Sequence, residues 1–144
     1  MILSFFSCKS QLNDQQQCIK TSAKLLNYFK TKDTTAIANL IGVDLKTAGK
    51  SMSFIYDECI KVSESLMQYG NPKIESFEYV KLTDNSFVNS VVTILIKDTL
   101  TNSIKTKIEV YFAPENIIPH TKINTYSVEP IFENLNLSPP SNNQ

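Results

Sequence analysis

Glycine is scarce, with three copies in 144 residues, and tryptophan is absent. The scarcity of glycine weakens any reading as a phosphate-cradling protein. Gly49-Lys50-Ser51 echoes the end of a phosphate-binding loop, but the full pattern needs a glycine five residues earlier, where Asp44 stands, and no strand precedes it. Lys50 reads as a solvated helix residue. Charge of either sign is in short supply: Lys and Arg number 14, Asp and Glu number 14, and together they make 19% of the chain. There is no basic excess of the kind that neutralises phosphates, so nucleic acid is not expected as a partner. No apolar run reaches the length that spans a bilayer. A single histidine, His120, and three scattered cysteines, Cys8, Cys18 and Cys59, form neither a zinc knuckle nor a redox pair. No metal site and no cofactor are expected. What remains is 42% apolar residues, enough for one core in a chain of single-domain length.

The first eight residues, MILSFFSC, resemble the end of a bacterial lipoprotein signal. An apolar stretch runs to a small residue, Ser7, and then to Cys8, which would carry the lipid. Residues 9–14, KSQLND, read as a polar tether. Lipidation of Cys8 would leave Cys18 and Cys59 as an even pair. The expected location is the bacterial cell envelope, anchored to the membrane through lipid and on the periplasmic side, because no acidic run follows the cysteine. The alternative is a short strand or staple made by Ile2, Leu3, Phe5 and Phe6 in a cytoplasmic protein. The chain thus divides into a residual signal and tether at 1–14, a single domain at 15–133, and a disordered tail at 134–144.

Within the domain, hydrophobic periodicity predicts α+β architecture. Asp14 caps a first helix over about 15–30. Asp33 caps a second over 34–41, closed by Gly42. A third covers 45–69, its apolar stripe running Leu45, Ala48, Met52, Ile55, Cys59, Val62, Leu66, Tyr69, with Phe54, Ile60 and Met67 broadening it. After Pro72 the period changes to two, predicting strands at about 73–82, 87–98, 104–113 and 121–129. These should form a curved four-stranded antiparallel sheet wrapped on the helices.

The stretch AKLLNYFKTKDTTAIANLIG resembles the opening of the cystatin-like cone domains of the nuclear transport factor 2 superfamily. There a helix ends in a short polar break with an Asp, and a second helix starts at once. Lys32-Asp33 followed by Ile37, Leu40 and Ile41 fits that pattern, and the likeness extends over most of residues 15–130. Small lipoproteins with this fold are common in the Bacteroidetes. The resemblance implies a pocket between the sheet and the long helix. Some relatives are enzymes with an Asp–His pair or a carboxylate there, and others bind ligands or pair with proteins.

Among residues that carry chemistry, His120 is expected as an exposed loop residue, with Glu115 and Glu129 its nearest acids in sequence. Glu75, Glu109 and Glu129 should face solvent. Glu78 shares a face with Val80 and Leu82 and could enter the cavity, where burial would raise its pKa. The candidate pocket is Glu78, Tyr79, Phe112 and Tyr126, and Tyr79, Tyr111 and Tyr126 could form a stripe on one face. Cys18 and Cys59 are either buried thiols or a helix-to-helix disulfide of an oxidising compartment. The function expected is a non-enzymatic, envelope-anchored domain that binds a partner protein, a second copy included, or a small ligand. The alternatives are a protein with a pocket for a small apolar ligand and, last, a cone-fold hydrolase or isomerase.

Overall fold

A computed structural model describes residues 4–44, 46, 49–70, 72–80 and 88–131, and of residues 4–12 the backbone only. Three helices, α1 (Ser4–Thr31), α2 (Thr34–Leu40) and α3 (Gly49–Tyr69), precede four strands, β1 (Pro72–Tyr79), β2 (Ser90–Lys97), β3 (Ile104–Phe112) and β4 (Thr125–Pro130). The strands pair as an antiparallel meander in the order β1-β2-β3-β4. The fold is α+β, as the periodicity predicts.

The first helix is longer than expected. It begins at Ser4, so the segment read as a tether is helical and Asp14 lies inside the helix instead of capping it. Lys, Gln and Leu are good helix formers, and their propensity carries the helix through a stretch that lacks an apolar stripe. From Cys18 onward Thr21, Ser22, Leu25 and Phe29 are buried on one face, whereas Ala23 is exposed. The helix ends in a double reverse bond, Lys32 N–H to Phe29 O and Asp33 N–H to Tyr28 O, with Lys32 at φ 55°. Asp33 then caps α2, its Oδ1 accepting from Ala36 N–H at 3.0 Å. Gly42, at φ 69°, turns the chain out of α2.

Alternation on the two central strands separates the faces. Val92, Ile94 and Ile96 of β2 and Ile108, Val110 and Phe112 of β3 are fully buried against the helices. Burying each contributes about 1.5–3 kcal/mol. From α3, Ile55, Cys59 and Val62 join this core, with Met52, Leu66 and Tyr69 half-buried beside it. Phe54 and Met67 do not widen the buried stripe: they are 55% and 81% exposed. Ser65 Oγ and Thr106 Oγ1 hydrogen-bond at 2.7 Å within the α3–β3 interface.

A bulge in β1 sets which of its side chains face inward. The register passes from Ile74↔Ile94 directly to Ser76↔Thr93, leaving Glu75 without an opposite residue. Beyond it, Phe77 lies opposite Val92 and Tyr79 opposite Ser90, so both turn towards the helices. Glu78 lies opposite Val91 on the outer face and is exposed. The strand expected to run to Leu82 stops at Tyr79, and 81–87 fall outside the described residues, as does the tail expected at 134–144. Strand β4 starts at Thr125 and ends on Pro130, because residues 113–124 form an ordered loop instead of extending it.

Candidate functional site

Among the described residues, two places are candidates for function. The first is a polar cluster where α1 meets the loop between β3 and β4. Asp14, Cys18 and Thr21 lie four and three residues apart, so they project from one face of α1. Against them sits His120, which is 1% exposed. All four polar groups of His120 are engaged. Its N–H donates to Glu115 Oε2 at 2.5 Å, and its carbonyl accepts from Thr21 Oγ1 at 2.5 Å. Its Nε2 is 2.7 Å from Ala113 O, and its Nδ1 meets Asp14 Oδ1. A carbonyl oxygen can only accept, so Nε2 carries a proton. Glu115 Oε2 also lies 3.2 Å from Nδ1. Tyr79 O–H donates to Asp14 Oδ2 at 3.1 Å, and the Phe112 ring meets the imidazole edge-on at 5.6 Å.

The expected exposed loop histidine is therefore buried, and its partners are Asp14 and Glu115, not Glu129. Nothing local marks this: Asp14 reaches His120 only through the tertiary fold. The Cys18 Sγ is 3.8 Å from Ser90 Oγ. Burial pushes its pKa up to about 12; the Ser90 hydroxyl opposes this, and the charges of Asp14 and Glu115 add smaller raising contributions. Cys18 is thus a thiol at neutral pH and no nucleophile. Cys59 is likewise free and buried, its pKa raised to about 11 chiefly by desolvation. The two cysteines are not bridged. Asp14, Cys18 and His120 nonetheless each offer a ligand atom within 4.8 Å of the others, a grouping that the separation of one His and three Cys in sequence does not foretell.

The second place is an apolar pocket of about 340 Å³ between the start of α3, the α2–α3 connection and β4. Ile41, Val43, Phe54, Ile55 and Tyr126 form its apolar walls, with Lys50, Ser51 and Thr125 also lining it. Tyr126 is 7% exposed, packs edge-on against Phe29 at 5.2 Å and stacks with Phe54 at 6.5 Å. Among the described residues, its hydroxyl is buried without a hydrogen-bond partner, as is Glu58 Oε2. Burial, then Cys59 and Glu58, raises the Tyr126 pKa well above the ordinary phenol value.

The four residues expected to share a pocket are thus divided. Tyr126 lines the apolar pocket, Phe112 and Tyr79 border the polar cluster, and Glu78 lies outside both. No tyrosine stripe forms, since Tyr111 is on the outer face, where its hydroxyl donates to Glu109 Oε2 at 2.8 Å. The space expected between the sheet and α3 is filled by core side chains, and the pocket opens at its end instead. The sequence does not point to Phe54 and Lys50 as pocket residues, because periodicity assigns Phe54 to the buried stripe of α3 and Lys50 to its solvated side. The side chain of Cys8 lies outside the described residues. Among the described residues, no helix is long and apolar enough to cross a membrane. Comparison with known proteins found no matching family model, curated protein or solved structure.

Proposed function

We propose that this chain is a non-enzymatic binding domain whose pocket at Phe54 and Tyr126 takes a small apolar molecule. The observation that carries the reading is the pocket itself. At about 340 Å³ it falls at the small end of the range of ligand sites, roughly 300–1,000 Å³. Its walls are aliphatic and aromatic, and Phe54 leaves more than half of its surface in water. Lys50 on the lining suits a ligand with an acidic head. The polar cluster supports the same reading from the other side. A general base needs a ring nitrogen facing substrate, and both nitrogens of His120 are taken by protein groups. We further propose that Cys8 carries a lipid and holds the domain at the periplasmic side of a bacterial envelope. The helix-break-helix opening and the antiparallel meander support kinship with the cystatin-like cone domains.

The test is titration of the full chain with 1-anilinonaphthalene-8-sulfonate, an apolar fluorophore with an acidic group. The expected result is saturable 1:1 binding, weakened about tenfold by Phe54→Ser, which removes an apolar wall without opening the core. Absence of saturable binding, or binding indifferent to Phe54→Ser, would overturn the pocket reading. For the anchor, the mass of the N-terminal peptide from native membranes should show an acylated Cys8.

A further inference from the structure

We propose that Asp14, Cys18 and His120 bind a thiophilic divalent cation of the zinc class, with Glu115 as the fourth donor. The donor set is one thiol, one imidazole and two carboxylates, all of them ordinary zinc ligands. The first three ligand atoms already lie within 4.8 Å of one another. A tetrahedral zinc ion with bonds of about 2.0–2.3 Å holds its donors roughly 3.3–3.7 Å apart, so rotamer adjustments close the site. Cys18 and His120 are buried, which gives the site a dry interior wall. The side chain of Glu115 is 62% exposed and can swing in from the solvent side, and its Oε2 is already 3.2 Å from His120 Nδ1.

The surroundings match those of a metal ligand set. Ligating imidazoles commonly donate their second nitrogen to a backbone carbonyl, which fixes the tautomer. His120 does this through Nε2 to Ala113 O at 2.7 Å, and so turns Nδ1 towards the cluster. Ligating carboxylates are in turn hydrogen-bonded, as Asp14 Oδ2 is by Tyr79 O–H. Two carboxylates converging on one imidazole nitrogen beside a buried thiol carry surplus negative charge, and a dication offsets it. On binding, the cation takes the place of the Cys18 thiol proton, which is released to solvent. The site is separate from the apolar pocket, and neither reading depends on the other.

The probes are zinc itself, by calorimetric titration of the metal-stripped full chain, and cobalt(II), by absorption. The expected result is one zinc per chain and, with cobalt, tetrahedral bands accompanied by a thiolate-to-metal charge-transfer band. Cys18→Ser, nearly isosteric, should abolish the charge-transfer band and lower zinc affinity about 100-fold or more. Its far-ultraviolet circular dichroism and its fluorophore binding at the Phe54 pocket should be unchanged. Glu115→Gln, at an exposed side chain, should weaken zinc binding less. No zinc binding, or binding through Cys8 or Cys59 that survives Cys18→Ser, would overturn the proposal.

Discussion

Asp14 and His120 stand 106 residues apart in the chain, and their side chains meet where α1 packs on the loop that leads into β4. With Thr21 and Glu115 holding the backbone of the same histidine, this contact fixes the whole 113–124 loop to the first helix.

Replacing His120 by Ala should therefore be costly. It removes the donor to Ala113 O and leaves the Asp14 carboxylate beside a vacated buried site. The expected loss is about 3–5 kcal/mol by denaturant unfolding of the metal-free chain. Asp14→Asn should cost only about 1 kcal/mol, because Asp14 is partly exposed and an amide can still hydrogen-bond. A His120→Ala loss no larger than that of Asp14→Asn would refute the staple role.

The Ser65–Thr106 pair gives a cleaner test of buried-polar pairing. Ser65→Ala strands the Thr106 hydroxyl, and Thr106→Val strands that of Ser65. Each should destabilise by about 1–3 kcal/mol, while the double variant should recover most of the loss. Strictly additive losses in the cycle would mean that the two hydroxyls are not coupled.

Acid sensitivity should concentrate in the β2–β3 turn. The Asp98 carboxylate accepts from Leu100 N–H at 2.8 Å and from Thr101 N–H, and these bonds, that of Leu100 first, lower its pKa below the ordinary aspartate value. A depressed carboxylate stabilises the fold above its unfolded pKa and loses that contribution as pH falls through the folded one. Wild type should exceed Asp98→Asn in melting temperature at neutral pH, and the gap should close as pH drops below about 3.9. A gap that stays constant down to pH ~2 would show that the charge of Asp98 contributes nothing.

Much of the architecture is legible from local pattern. The alternation of Ile104, Ile108, Val110 and Phe112 against Lys105, Lys107, Glu109 and Tyr111 places β3 correctly, and Asp33 and Gly42 mark the ends of α2. Periodicity is silent where a helix has no apolar stripe, so the reach of α1 back to Ser4 escaped it. It also fails at a bulge. One extra residue at Glu75 shifts the parity of β1, and Glu78 stands opposite Val91 on the outer face, not in the cavity inferred from its sharing a face with Val80 and Leu82. The polar cluster was hidden for a different reason. Its members come from α1, β1, β2 and a Pro-flanked loop, and only the closed fold makes them neighbours.

The same extra residue has a bearing on solubility. Strand β1, one margin of the sheet, carries a bulge at Glu75, and the opposite margin finishes on Pro130, which has no amide hydrogen to offer. Neither margin is a straight template on which another chain could lay a strand, so copies of this domain crowded together on a surface would resist growing into ribbons.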